Sequence, residues 1–434
     1  MSLDAERVAP LGISGRLQPV LEHLAANPYP EVPNPPNCQK RASVALIIRV
    51  QPSPDHWPPQ RLDRVASSTS KGATDTTASR LDEFFSLSWV KHGEPEVLFI
   101  RRAARARDRW GSHIALPGGK RDPGDESDQA AAVRETWEEV GLDLSSGNCV
   151  FVGNLSERVV TTSWGKVPLM VLCSFVYILT EHDIPPLRLQ PSEVESAHWV
   201  SFRTLLAPSL RTYEHCDISD RLANRGNPFV RTLLRAVLGQ MAYAAVKLAP
   251  SESLYSGIPM RLNLNVSSVV GKSTVESVQC SRITSSARSA KKDQPLLLWG
   301  LTFGILTDFL HLIAPYGVLD LWAYPTFTAP DIRFIIWVLT HSFRHKKQLE
   351  LHSQQAIPTN STLTNQTRAD DLGFGVRNTQ GLSQPPSPSI TGRLLDGYYD
   401  LIRKAIAMAL IGRIGIGASL TAVLWLWYRQ RRKS

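Results

Sequence analysis

Three glutamates fall within five positions of this chain, at 135, 138 and 139, with glycines ahead of them at 118 and 119 and behind at 141. Residues three and four apart share one face of a helix. Glu135, Glu138 and Glu139 are therefore expected to project together. Carboxylates held this close repel unless a cation sits among them. Hard divalent cations take oxygen ligands, and Mg2+ often pairs carboxylates with substrate phosphates. On the other side of the same helix, Ala130, Val133, Trp137 and Val140 recur at helical spacing and are expected to pack on a core. Gly141 suits the helix stop, and Asp125 or Ser127 suits the start. The stretch reads as loop, helix, loop, with a Gly-rich turn ahead and its carboxylates outward.

The pattern Arg-Glu-x-x-Glu-Glu-x-Gly-hydrophobic, from Arg134 to Leu142, resembles the core of the Nudix box. The preceding LPGGKRDPGD, residues 116–125, is similar to the variant in Nudix hydrolases of the coenzyme A pyrophosphatase type. The common box has a glycine six positions before a glutamate, then seven residues before Arg-Glu. Glu126 keeps the second spacing, whereas Gly119 stands one position too early and Lys120 occupies the glycine's place. The coenzyme A type of box carries the same shift, with an aspartate such as Asp125 nearby. The resemblance covers the box strongly and residues 40–200 moderately.

The resemblance implies an α/β fold, the Nudix α/β/α sandwich with a mixed sheet. It also implies hydrolysis of a diphosphate linkage in coenzyme A or a related nucleoside diphosphate derivative, with Mg2+ or Mn2+. Glu135 and Glu139, one turn apart, are the expected metal ligands. Glu138 is a third ligand or the base acting on water, and Glu135 shares the catalytic role. Gly119 offers a backbone carbonyl to the metal. Arg134 is expected to orient a box glutamate. Arg101 and Arg102, with Arg105 and Arg107 behind them, precede the box where phosphates would lie, and His113 is close to the Gly-Gly turn. Family members often draw a further acid from a late loop. Glu193 and Glu195 occupy such a loop here, although solvated loop acids are the simpler expectation for both. The competing reading is a catalytically inactive Nudix module that binds a ligand or acts as a membrane scaffold. The intact Arg134 and three glutamates stand against it.

At 434 residues the chain exceeds one ordinary domain. Its net charge of +9 comes from scattered Lys and Arg rather than from one basic stripe. A nucleic-acid polymer is not an expected partner, and a small polyanionic pyrophosphate is. The five cysteines are odd in number and contain no C-x-x-C pair, which suits reduced thiols. The start, MSLDAERVAP, lacks the basic-then-apolar pattern of a signal peptide.

The expected organisation is an N-terminal extension over 1–37 and a Nudix hydrolase domain over 38–316, with insertions near 51–94 and 203–295. A helical extension over 317–342 and a polar, disordered linker over 343–395 follow. Within the domain, 41–50, 96–103, 149–155, 167–178 and 196–202 read as strands, and 229–247 as helix. The apolar run 296–313 reads as a buried helix, since Asp308 and His311 interrupt it. Its LWGLT resembles the terminal helix of coenzyme A type Nudix domains. Residues 405–428 form a candidate transmembrane helix with one charge, Arg413, and with Trp425, Trp427 and Tyr428 at one end. The expected partner of this hydrophobic helix is a membrane, with the catalytic domain in the cytosol. Basic residues on both sides suit the mitochondrial outer membrane or the peroxisome. The alternative is a helix packed on a cytoplasmic enzyme.

Overall fold

The computed structural model describes residues 13–36, 38–58, 76–105, 110–162, 167–217, 228–256, 295–313, 322–355 and 389–432. Helix α1 (Ile13–Ala26) comes before strand β1 (Arg41–Gln51). Helices α2 (Thr77–Ser86) and α3 (Ser88–Lys91) precede β2 (Glu94–Arg102). The short strands β3 (Ile114–Ala115) and β4 (Gly118–Lys120) lead into α4 (Asp128–Val140). Then come β5 (Cys149–Thr162), β6 (Val167–Leu179), β7 (Val194–Ser201) and α5 (Phe202–Leu206). The remaining elements are β8 (Arg211–Cys216), α6 (Pro228–Leu238), β9 (Met241–Lys247), β10 (Glu252–Tyr255), β11 (Leu297–Trp299), α7 (Gly300–Ile313), β12 (Thr326–Phe327), α8 (Pro330–Gln355), α9 (Ile390–Leu395) and α10 (Tyr398–Arg431).

The main sheet runs β10-β7-β2-β1-β6-β5, with β3 added to β2 and β4 to β1. β1 and β6 are parallel, and the other pairs are antiparallel, so the sheet is mixed. Strands covered on both faces need apolar residues at nearly every position. VALIIRV in β1 and VLFI in β2 meet that need. Ile47, Leu98 and Ile100 point to the face covered by α4, where Ala132 and Val140 meet them. Leu46, Ile48, Val97 and Phe99 point the other way, against Leu17, Leu81 and Phe309 from α1, α2 and α7. The layers are α/β/α, as expected.

A second sheet, β11-β9-β12 with β8 on β9, is built largely from residues beyond 203. The expected helix over 229–247 is instead a helix and a strand. Gly239, at φ 71°, ends α6, and MAYAAVK continues as β9, buried at most of its positions. β10 pairs with β7 and extends the main sheet at its edge. The polar segment 51–94 supplies α2 and α3, which bury Leu81, Phe84, Phe85 and Val90. Residues 356–388, most of the expected linker, lie outside the described residues, whereas 343–355 continue α8.

The helix expected over 296–313 starts at Gly300, after β11. It is a core helix burying Phe303, Leu306, Phe309 and Leu310. Its Asp308 is paired with Arg158 and accepts hydrogen bonds from the Thr391 amide and hydroxyl, each at 3.1 Å. α10 has two parts. Tyr398, Ile402, Ala405, Ile406 and Ala409 are buried against α8 and α6. From Ile411 to Tyr428 the large apolar side chains are exposed. The helix carrying them, Ile390–Arg431 counted with α9, is long and apolar enough to cross a membrane.

Candidate metal and phosphate site

The turn before α4 is shaped by two glycines. Gly118 and Gly119 pair with Val44 and Ser43 across β1. Gly118 has φ 144°, and a Cβ there would lie 2.2 Å from the Ser43 carbonyl oxygen. That backbone suits glycine alone. The turn can therefore lie flat on β1 and aim its amide at the helix. α4 starts where Ser127 accepts a hydrogen bond from the Ala130 amide at 3.0 Å, and ends at Gly141, which is left-handed at φ 70°. Of the two caps expected at the start, Ser127 is the one used. Asp125 instead accepts from Arg134 at 2.9 and 3.0 Å. That guanidinium holds its carboxyl below the usual aspartate range.

Glu139 is the innermost acid, only 2% exposed. Its Oε2 accepts from the Gly118 amide at 2.8 Å, and Arg102 stands 3.9 Å from Oε1. Burial pushes its pKa up to about 8, against the opposing pull of that amide and arginine. Glu135, one turn earlier, is half-buried, and burial raises its pKa too. Glu193 completes the group, for Glu135, Glu139 and Glu193 each offer an oxygen within 4.8 Å of the others.

Glu193 reaches this place because its loop is tied to the end of α4. The Arg188 amide donates to the Val140 carbonyl at 2.8 Å, the Gln190 amide to the Glu139 carbonyl at 3.0 Å, and the Ala103 amide to the Glu193 carbonyl at 2.7 Å. Arg105 pairs with the Glu193 carboxylate at 2.7 Å. Nothing periodic in the polar loop sequence marks Glu193 out from Glu195. The backbone bonds that select it join segments about fifty and about ninety residues apart.

The other expected residues divide. Gly119 lies against Glu135 so closely that a Cβ would fall 2.4 to 2.5 Å from its carboxylate. Arg134 donates to Glu135 at 3.2 Å and Glu138 at 3.1 Å, besides Asp125. Glu138, with a side chain 51% exposed, sits at the solvent rim and outside the three-acid group. Strand alternation separates the two arginines. Arg102 faces α4, whereas Arg101 faces away, with Glu195 at 3.6 Å. The His113 ring packs 4.9 Å from Trp299, which lies 5.7 Å from Tyr243. The His113 carbonyl accepts from the Arg102 amide at 3.0 Å. Trp137, expected in the core, is 49% exposed with the Arg188 guanidinium 5.1 Å over its ring. The buried face of α4 is instead Asp128, Ala131, Ala132, Thr136, Glu139 and Val140. Arg107 lies outside the described residues.

Asp128, Glu157 and Cys173 also converge. Arg41 already occupies that cluster, donating to Asp128 at 2.6 Å, Glu157 at 2.8 Å and the Cys173 sulfur at 3.2 Å. It reads as a buried ion pair that ties β1 to α4, β5 and β6. The Glu135–Glu139–Glu193 group differs. Its cationic neighbours include Arg102 at 3.9 Å from one oxygen, Arg105 on Glu193 and Arg134 on Glu135, each at the edge of the group. An all-oxygen set facing inward, with glycine where a Cβ would intrude, suits a hard divalent cation.

A NUDIX domain model matches residues 87–217. An uncharacterized protein of Schizosaccharomyces pombe is 37% identical over 262 residues, 59% of this chain and 68% of that protein. A mitochondrial coenzyme A diphosphatase of Mus musculus is 40% identical over 52 residues, 12% of this chain and 25% of that protein. Among solved structures, a MutT/nudix family protein from Enterococcus faecalis aligns at 18% identity and a TM-score of 0.23, over 41% of this chain and 47% of that one. An Ap4A hydrolase of C. elegans aligns at 14% identity and a TM-score of 0.23, over 45% of this chain and 96% of that one.

Proposed function

From the NUDIX domain that residues 87–217 match, we propose that the chain is a metal-dependent pyrophosphohydrolase of that family that cleaves the diphosphate linkage of coenzyme A or a related nucleoside diphosphate derivative. The observation that carries this is the convergence of Glu135, Glu139 and Glu193 beneath the Gly118–Gly119 turn. We assign these three carboxylates as the ligands for Mg2+ or Mn2+. When bound, such an ion neutralises phosphate oxygens and lowers the pKa of a bound water.

The chain's own residues have these roles. The Gly118 amide fixes Glu139 by its hydrogen bond, so that the carboxylate does not need to reorganise when charge arrives. Arg102, within reach of Glu139, supplies a cation for a diphosphate oxygen. Arg105 sets the position of Glu193. Arg134 clamps Glu135 between itself and the Gly119 backbone. Glu138, at the rim and hydrogen-bonded to the same Arg134 nitrogen as Glu135, is assigned as the base that takes a proton from the attacking water. Arg101, buried on the opposite face of β2, is kept as a support for β7 rather than as a phosphate contact.

The coenzyme A reading is supported by the LPGGKRDPGD form of the turn and by the short similarity to the mouse diphosphatase. A nucleotide end is further supported by the His113, Trp299 and Tyr243 rings, since planar faces beside a cationic phosphate site suit a nucleobase. A panel of coenzyme A, acyl-coenzyme A, dinucleoside polyphosphates and nucleoside triphosphates, each with and without Mg2+ or Mn2+, tests this. The expected result is metal-dependent release of two phosphorylated products from coenzyme A. Cleavage of nucleoside triphosphates alone would overturn the substrate but keep the reaction. Tight ligand binding without turnover at any metal concentration would favour the inactive module.

We also propose that the exposed part of α10 anchors the protein in a membrane, with the catalytic domain in the cytosol. Support comes from the contrast within one helix, buried up to Ala409 and exposed and apolar beyond it. The aromatic and basic end Trp425–Arg432 adds to this. The mitochondrial outer membrane or the peroxisome suits a short span flanked by basic residues.

A further inference from the structure

Beyond Arg413 the exposed apolar run of α10 is short for the task just given to it. From Arg413 to Tyr428 the helix rises only about 22 Å, against a hydrocarbon core of about 30 Å. Arg413 is not free to rise out of the membrane by itself, because it is clasped to α8. Its guanidinium donates to both Asp331 oxygens, at 2.7 and 2.6 Å, and also to the Val237 carbonyl. This clasp joins the first turn of α8 to the place where α10 leaves the protein body. The two helices run antiparallel, since Tyr398 at the start of α10 packs near Phe343, twelve residues past Asp331.

α8 carries an exposed aromatic face at that same end. Phe334 is 64% exposed, Trp337 55% and Val338 51%, and the first two rings stack 6.2 Å apart. Positions 334, 337, 338 and 341 share one helix face. Counted along the axis, Phe334 lies about 4.5 Å and Trp337 about 9 Å from Asp331, on the side away from the span. Measured from these rings to Tyr428, the distance becomes about 27 to 32 Å, which matches the hydrocarbon thickness. Aromatic side chains then stand at both ends, Phe334 and Trp337 at one, and Trp425, Trp427 and Tyr428 at the other. Exposed Arg333 stands just before the rings, and beyond them the exposed residues of α8 are polar, with His341, His345 and Lys346 on the body side.

We propose that this face of α8 is a second membrane contact, seated in the headgroup layer of an anionic leaflet, and that the Arg413–Asp331 clasp fixes its depth. The inference rests on the anchor reading and goes beyond it. The enzyme is held down against the bilayer in one orientation by two elements, and does not swing on a single tether. The occupant is the lipid surface. The apolar rings complement acyl chains, and the exposed basic side chains on either side of them, Arg333 and Lys346, complement anionic headgroups.

The test reconstitutes the full chain in vesicles of phosphatidylcholine with phosphatidylserine, and in phosphatidylcholine alone, each doped with a photoreactive lipid. Cross-links are then mapped by mass spectrometry. Lipid adducts are expected on 411–428 and also on Phe334, Trp337 or Val338, with the α8 adducts enriched at least about threefold in the anionic vesicles. The double variant Phe334→Ser with Trp337→Ser, which changes only exposed side chains, is expected to lose the α8 adducts and keep those on α10. Adducts on α10 with none on α8 would overturn this inference and leave the anchor standing. No adducts on either element would overturn the anchor itself. A dimer of the vesicle-bound chain that the double variant abolishes, with no lipid adducts on α8, would assign the face to a second copy and also overturn the inference.

Discussion

Glu139 sits almost sealed from water with two further carboxylates directed at it, a cost that the Gly118 amide and Arg102 offset in part and that a bound cation would offset further. Glu139→Gln should therefore abolish metal binding while leaving the apoprotein as stable or more stable. Thermal melts with and without Mn2+ check this. Wild-type should gain several degrees from saturating metal, and the variant none. Glu138→Gln should keep the metal-dependent gain and lower kcat by about 10²- to 10⁴-fold, as expected for loss of a general base. If Glu138→Gln turns over at the wild-type rate, the base lies elsewhere. Gly119→Ala places a Cβ against the Glu135 carboxylate. It should weaken metal affinity at least about tenfold with the fold intact, because the acid must move and no hydrogen bond is lost.

His198 gives a separate handle on stability. It is fully buried between Ser196 and Ser253, at 2.8 Å each. Burial, with a smaller effect from Arg101, lowers its pKa from 6.5 to about 4. Its folded form thus stays neutral while the unfolded chain takes up a proton as pH falls below 6.5. Its contribution to stability is intact above pH 6.5 and is lost between pH 6.5 and 4, by about 2 kcal/mol at pH 5. The difference between wild-type and His198→Gln in chemical denaturation should shrink by about that amount from pH 7 to pH 5. A constant difference would mean that the ring is already charged in the native state.

At the scale of elements, α4 is held at its base by Arg41. This guanidinium satisfies Asp128 in the first turn of the helix and Glu157 on β5, and it also donates to the Val32 carbonyl at 2.9 Å. Removing it leaves buried Glu157 without its cationic partner and Asp128 with only the longer contact to Arg121, at 3.5 Å. Arg41→Met should cost about 3 to 5 kcal/mol and lower the thermal midpoint accordingly. A midpoint within a degree of wild-type would show that water reaches the cluster. The sequence made α4 legible because its signals are local: Ser127 before it, Gly141 after it, and acids at fixed spacing between. β1 and β2 were legible because a strand buried on both faces must be apolar throughout. Glu193 was not, because hydrogen bonds from other segments choose it over Glu195. Trp137 misled the pattern for a related reason. Helical periodicity marks one apolar stripe, but the side of α4 that meets the sheet is lined by small Ala131 and Ala132, and Trp137 finds its partner in Arg188. The second sheet was hidden because its strands are short and its pairings join distant segments, β9 with β8, β11 and β12.

For the whole molecule, the question is how the catalytic layers connect to the exposed end of α10. Tyr398, Ile402, Ala405, Ile406 and Ala409 belong to a core shared with Leu238, Met241, Phe327, Ile332 and Ile336. Tyr398 also donates from its hydroxyl to the Pro325 carbonyl at 2.7 Å. That core includes Met241 at the start of β9, the second sheet's central strand, and Phe327 on β12, and the sheet in turn reaches the main sheet's site through Trp299 and His113. The first part of α10 is therefore structural, and the part beyond Leu410 is not. Truncation after Leu410 removes only exposed apolar side chains and the Arg413–Asp331 pair, which is partly exposed and contributes about 0 to 1 kcal/mol. Truncation after Asp396 removes Tyr398 and Ile402 from a buried core, where each large side chain lost costs about 2 to 5 kcal/mol. The first truncation should give folded, soluble and active enzyme with a thermal midpoint within a few degrees of the full chain. The second should give protein that melts early or aggregates. In cells, carbonate-resistant membrane association should be present in the full chain and absent after truncation at Leu410. A full chain extracted by carbonate would show that the exposed run packs on something other than lipid. A folded, stable product of the longer truncation would show that the third core does not depend on α10.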